Sequence, residues 1–186
     1  MPGIDLWDEA RDARKYAGPW PVIAHPPCNR WSPMARINEK RYGHRVGDDA
    51  GCFESALTSV RRYGGVLEHP AVSIAWDRFS LPRPIRDGWQ YDFVDDSWVC
   101  VVSQRAYGHP AQKLTWLYYV GIHPPPQCNW SRPDPVASCS FLSNNGGRKV
   151  RRLKQREAAH TTPEFRDLLI QIAIGASVAR TREITT

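Results

Sequence analysis

A thiol and a carboxylate stand where two short apolar runs end. Val22-Ile23-Ala24 is stopped by His25-Pro26-Pro27 and followed at once by Cys28; Val66-Leu67 is followed by Glu68-His69-Pro70. Short apolar runs bounded by proline and glycine read as buried strands. A reactive side chain just past a strand end lies where parallel α/β sheets do their chemistry. If the two strands are neighbours, Cys28 and Glu68 reach the same sheet edge, close enough to grip one small ring. That pairing suits nucleophilic addition, in which a thiolate attacks an electron-poor ring carbon while an acid neutralises the charge that builds up. Carbon 6 of a pyrimidine is such a carbon, and a base in a duplex must leave the stack to reach the pair. A helix start beyond the loop and nearby Arg30 or Arg36 would lower the thiol pKa. Trp31 offers a ring to stack on the base, and Lys113 a cation for a carbonyl oxygen or a phosphate.

The elements that must position these groups follow from the rest of the chain. Residues 1–20 are polar and mixed, with Asp5 to Tyr16 read as a short helix closed by Gly18-Pro19. Residues 33–50 are basic and carry Gly43, Gly47, Asp48 and Asp49, which reads as a mobile, substrate-facing loop. Asp49 caps a helix running to about Tyr63, with Phe53, Ala56, Leu57 and Val60 at helical spacing. Gly64-Gly65 ends that helix and leaves Val66-Leu67 as the second strand. Ala71 to Phe79 reads as helical or turn-like. Residues 98–103 (WVCVVS) and 114–120 (LTWLYYV) read as an antiparallel strand pair across the Tyr107-Gly108 turn. Residues 122–147 are proline-rich and irregular, the basic run Arg148 to Arg156 follows, and Thr162-Pro163-Glu164 opens a helix carrying Phe165, Leu168, Leu169, Ile172 and Ala173.

Composition bounds the classes. A chain of 186 residues with 41% hydrophobic and 24% charged residues fits one folded domain with a sizeable core. A net charge of +6 suits a polyanionic partner. Eight Trp and seven Tyr serve as core or as stacking surfaces for bases. Five cysteines is an odd count, no apolar stretch approaches a membrane span, and no N-terminal run resembles a signal peptide, so a reduced cytoplasmic protein is expected.

The order Pro27-Cys28-Asn29-x-Trp31-Ser32 resembles the Pro-Cys-Gln-x-Phe-Ser nucleophile loop of the DNA cytosine-5 methyltransferases. Where that family has a strand ending Glu-Asn-Val, this chain has Leu67-Glu68-His69-Pro70. Where the family has Tyr-Gly-Val-Pro-Gln-x-Arg-x-Arg before an apolar strand, this chain has Tyr107-Gly108-His109-Pro110-Ala111-Gln112-Lys113-Leu114-Thr115. Fainter echoes lie in Arg156 to Glu164 and in Ile174-Gly175-Ala176-Ser177-Val178. The resemblance implies a single α/β domain built on a truncated, Rossmann-like methyltransferase sheet with an antiparallel hairpin. It implies Cys28 as nucleophile and Glu68 as its acid, with Asn29, Arg30, Trp31, Ser32, His69, Tyr107, His109, Lys113 and Thr115 around the base. Arg148, Lys149, Arg151, Arg152 and Lys154 are the candidates for contact with the nucleic-acid backbone.

The chain also departs from the family pattern. The glycine-rich loop that holds S-adenosylmethionine is not visible in residues 1–20, which read as an N-terminal extension, so the donor is unknown. The two motif arginines fall on Lys113 and Thr115, and residues from about 122 to 156 form a short basic insertion in place of a target-recognition domain. The expectation is a phage-type relative, working in a bacterial cytoplasm on DNA, with a protein partner or second copy supplying any missing half-site. A catalytically silent DNA-binding or inhibitor protein and an enzyme for RNA or free nucleotides are the alternatives. Each residue has a plainer reading too: Cys28 as a small buried hydrophobe, Glu68 as a turn cap, Tyr107 to His109 as a hairpin turn, and Arg148 to Arg156 as a solvated face. His25, Cys28, Cys52 and His69 as zinc ligands is a further alternative.

Overall fold

Strands buried on both faces read as continuous apolar runs, and strands of that kind form the middle of this protein. The computed structural model describes residues 3–139 and 150–176. A five-stranded mixed sheet in the order β1-β2-β5-β4-β3 is built from β1 (Val22–Ala24), β2 (Gly65–Pro70), β3 (Gln90–Asp92), β4 (Ser97–Ser103) and β5 (Leu114–Val120). β1 and β2 are parallel, with Val22 opposite Gly65 and Ala24 opposite Leu67; β5 runs antiparallel to both β2 and β4. The expected β4–β5 pair is present, and the expected second strand extends through Glu68 and His69 to Pro70.

Strand alternation divides the core into two layers. Leu67, Trp116, Tyr118 and Val99 pack with Phe53, Leu57 and Val60 of α2 (Cys52–Tyr63) on one face. Val66, Leu117, Tyr119, Cys100 and Val102 pack with Phe165, Leu168, Leu169 and Ile172 of α5 (Pro163–Gly175) on the other. The Thr162 hydroxyl accepts the Phe165 N–H, capping α5 where the Thr-Pro-Glu signal placed its start. β1 approaches β2 so closely that a Cβ on Gly65, whose φ is +117°, would lie 2.0 Å from the Val22 carbonyl oxygen.

Several expectations are corrected. Residues 35–42 form a helix, α1 (Ala35–Tyr42), rather than a loop; Ala, Arg, Glu and Lys favour helix without an apolar stripe, and Gly43 ends it in the left-handed region. Asp5 to Tyr16 yields only a 3-10 turn, Ala13–Lys15. There the Asp8 carboxylate accepts the N–H groups of Ala10 and Arg11, and Asp12 that of Arg14, giving the backbone turn partners in place of helical ones. Asp49 lies two residues before the N-cap Gly51, yet its carboxylate accepts the N–H groups of Gly51 and Phe53.

Ala71 to Phe79 holds α3 (Ile74–Arg78), and β3 adds an unexpected strand to the hairpin. The irregular segment from 122 contributes β6 (Ala137–Ser138), which pairs in parallel with β7 (Arg151–Arg152) before α4 (Gln155–Ala159). Arg148, Lys149, Ser177 and Val178 lie outside the described residues. Among the described residues, no helix is long and apolar enough to cross a membrane.

Candidate active site

Two prolines carry the chain out of β1 and set Cys28 on an exposed loop. The loop is held from behind. The Trp31 N–H bonds to the Cys28 carbonyl at 3.0 Å, and the Ile74 N–H to the Trp31 carbonyl at 2.8 Å. The Trp31 ring is buried at 4% exposure between Phe53 and Phe79, and its indole N–H donates to Asp49 Oδ2 at 2.8 Å. Trp31 therefore anchors the loop and is not a free stacking surface for a base.

Beyond the last β1–β2 pair, Ala24 and Leu67, the next residues in register are His25 and Glu68. Their side chains meet, His25 Nδ1 lying 2.9 Å from Glu68 Oε2. The other carboxylate oxygen, Oε1, accepts the Gln104 amide at 3.2 Å; that amide also bonds Thr115 Oγ1 at 2.9 Å, and Thr115 Oγ1 donates to the Lys113 carbonyl. Glu68 is 9% exposed. Burial pushes its pKa upward, but the His25 hydrogen bond and the positive charges of His25 and Lys113 outweigh burial and hold the carboxyl below its ordinary range. Glu68 is thus an anchored carboxylate rather than a ready acid.

The Cys28 thiol is pushed up. Although the residue as a whole is exposed, partial desolvation of the sulfur by its surroundings is the largest cause and the Glu68 charge adds to it, while a backbone hydrogen bond and Lys113 partly offset them. This corrects the expectation of a thiol activated by Arg30, Arg36 and a helix start: α1 begins only at Ala35, and the charge facing the sulfur most strongly is negative. Near neutral pH the sulfur carries its proton, so attack requires a group to remove it.

Of the expected base-binding residues, Asn29 is exposed beside Cys28, Arg30 and Ser32 are half-buried, and Lys113 exerts its charge on both Cys28 and Glu68. Four others are structural. Alternation along β2 turns His69 away from Glu68, into an aromatic box of Phe53 and Trp76. The Pro27 carbonyl is near enough to favour a charged His69 ring but outside hydrogen-bond geometry, and neither ring nitrogen has a hydrogen-bond partner among the described residues. The Tyr107 hydroxyl accepts the Asn129 N–H at 2.6 Å, and its ring packs on Phe165. His109 is fully buried, its Nδ1 accepting the Ala111 N–H at 3.1 Å. Thr115 is buried in the Gln104 network.

Arg151 pairs with Glu157 at 3.1 Å and, with Lys154, lines a shallow depression of about 580 Å³ that also holds Arg156 and His160. A cleft of about 330 Å³ between Arg14 and Tyr63 contains none of the expected site residues. Among the described residues, no three His, Cys, Asp or Glu side chains gather to hold a metal, so His25, Cys28, Cys52 and His69 do not make a zinc cluster.

Two side chains that hold Glu68 carry no signal in the sequence. His25 reads from the sequence as part of the stop to β1 or as a metal ligand, and its place one residue past β1 puts it level with Glu68. Gln104 carries no motif, and its role depends on the turn after β4 (Gln104–Tyr107) folding back over β2. The fold and site together define a mixed α/β domain presenting an exposed cysteine next to an exposed histidine that is paired with a buried carboxylate, with a lysine charge acting on both the thiol and the carboxylate. No family model matches the chain, and no curated protein or solved structure matches it.

Proposed function

We propose that this protein modifies a pyrimidine base in DNA through a covalent adduct between Cys28 Sγ and carbon 6 of the ring, as its resemblance to the cytosine-5 methyltransferases implies. The observation that carries the reading is the exposed Cys28 just past the end of the parallel pair β1–β2, where His25 and Glu68 meet, with the charges of Glu68 and Lys113 acting on its thiol. A parallel pair extended by an antiparallel hairpin also agrees with a methyltransferase-like sheet.

In the proposed addition, the thiol loses its proton and the sulfur forms a bond to carbon 6. The electron pair of the 5,6 double bond moves to carbon 5 and onto the carbonyl side of the ring. Lys113 supplies positive charge where that negative charge collects. Elimination reverses these movements and frees the sulfur. Because carbon 5 becomes nucleophilic in the adduct, any group joined to the base is joined there.

The residues before β1 do not fit S-adenosylmethionine in the way the family resemblance implies. β1 is an edge strand, and the chain leading into it forms the 3-10 turn Ala13–Lys15 beside α2, with no strand and glycine-rich loop among the described residues there. The net charge of +6 supports DNA as the partner, and the free cysteines support a reducing cytoplasm.

The test is incubation with a single-stranded oligonucleotide carrying 5-azacytosine, whose ring nitrogen at position 5 makes carbon 6 a stronger electrophile and takes up a proton after attack, so that the adduct reverts slowly. A complex that survives denaturing electrophoresis in the native protein and is lost in Cys28→Ser is the expected outcome. A native protein that binds the oligonucleotide without forming that complex favours a silent binding protein.

A further inference from the structure

The atom that handles protons at this site is not on Glu68. Both carboxylate oxygens are taken, Oε2 by His25 and Oε1 by Gln104, and the side chain is nearly buried. His25, by contrast, has 41% of its side chain exposed on the loop that carries Cys28. The geometry also fixes its tautomer. A carboxylate held ionised can only accept, so the ring nitrogen 2.9 Å away, Nδ1, must be the donor. Nε2, on the far side of the ring from Glu68, carries a lone pair whenever the ring is neutral, and that is the form in which it can take up a proton. An imidazole backed by a buried carboxylate is oriented for proton transfer, and its charged form is stabilised when it appears.

We propose that His25 is the acid–base residue of the Cys28 site, with Glu68 as the residue that positions it and Gln104 as the residue that positions Glu68. This inference rests on the pyrimidine reading above and assigns the proton steps that reading leaves open. Nε2 takes the proton from Cys28 Sγ as the sulfur–carbon 6 bond forms. The resulting imidazolium delivers a proton to carbon 5, where the electron pair of the double bond has gone. In the reverse direction Nε2 removes a hydrogen from carbon 5, the carbon–sulfur bond breaks, and the sulfur regains its proton. The net result is exchange of the carbon 5 hydrogen with solvent, with no oxidant, reductant or donor required. The raised thiol of Cys28 fits the need for such a base.

The experiment measures release of tritium to water from a single-stranded oligonucleotide containing [5-³H]cytosine, using the full chain. His25→Gln keeps an N–H to donate to Glu68 but has no basic nitrogen, and His25→Ala opens room for a small base. Release is expected to fall at least tenfold in both variants while oligonucleotide binding stays within twofold. Added imidazole is expected to restore release in His25→Ala, which a purely structural role would not produce. Release from His25→Gln at the native rate would overturn the assignment to His25 and leave the pyrimidine reading standing. No release by the native protein would overturn both. A variant that loses its folded circular dichroism is read through the other one, and loss of activity in well-folded His25→Ala without rescue by imidazole counts against the proposal.

Discussion

The indole N–H of Trp31 and the carboxylate of Asp49 meet at 2.8 Å, tying the loop that carries Cys28 to the first turn of α2. The same Asp49 oxygen accepts the Phe53 N–H, and Oδ1 accepts that of Gly51. One side chain therefore holds a helix start and a reactive loop together. Asp49→Ala removes a cap and leaves a buried indole N–H without its charged partner, at a cost of about 2 to 4 kcal/mol in urea unfolding. Because the loop is released as well, Cys28 in this variant is expected to become more accessible to alkylating reagents even where the protein remains folded.

Gly65 is predicted to tolerate no side chain. With φ at +117° and the Val22 carbonyl 2.0 Å from any Cβ, Gly65→Ala must push β1 away from β2 and separate His25 from Glu68. The expected loss is about 3 kcal/mol or more. Gly51→Ala provides the comparison. Its φ of +76° is also left-handed, but nothing stands within 4 Å of the added carbon, so only about 1 kcal/mol is lost. Equal stability of the two variants would contradict the close approach of the strands.

The thiol of Cys28 is raised by burial and by Glu68, with Lys113 acting against them. Iodoacetamide alkylation of Cys28 in the otherwise cysteine-free protein is expected to keep accelerating into the alkaline range, past the point where an ordinary thiol levels off. Glu68→Gln removes the negative charge and is predicted to speed alkylation at pH 8 by roughly threefold; Lys113→Met is predicted to slow it by a similar factor. Opposite signs would show that the two charges do not face the sulfur as the structure has them.

His69 gives the acid limb of stability. Burial holds its ring well below the ordinary range, at about 4 against 6.5. As pH falls through 6.5 the unfolded chain takes up a proton that the folded chain refuses until about pH 4. The stabilisation is complete above 6.5 and about 3 kcal/mol of it is lost across that window. His69→Leu, which fills the space between Phe53 and Trp76 without a titrating group, is expected to flatten the stability profile from pH 6.5 to 4.5, measured by urea unfolding at each pH.

What the sequence reveals of this protein is what local patterns encode. The apolar runs of β1, β4 and β5 are legible because β-branched and aromatic residues crowd them, and α5 because Thr162-Pro163 announces it. α1 is not legible because a mostly exposed helix of Arg, Glu and Lys has no apolar stripe. Trp31 has the same one-letter signature whether it stacks on a ligand or plugs a core, and only the aromatic partners Phe53 and Phe79 decide. The sign of the Cys28 shift depends on which charges face the sulfur, which spacing along the chain does not specify. The separation of His69 from Glu68, however, follows from the two-residue period of a strand and was open to reading in advance.

The account depends on a bond between one sulfur atom and one ring carbon. Peptide mass spectrometry of the native protein, digested after reaction with a 5-azacytosine oligonucleotide, tests it most directly. The account predicts that the peptide containing Cys28 carries the added mass of the nucleotide and that fragmentation places it on that sulfur. An unmodified Cys28 peptide from protein that had bound the oligonucleotide, or the added mass on another residue, would contradict it.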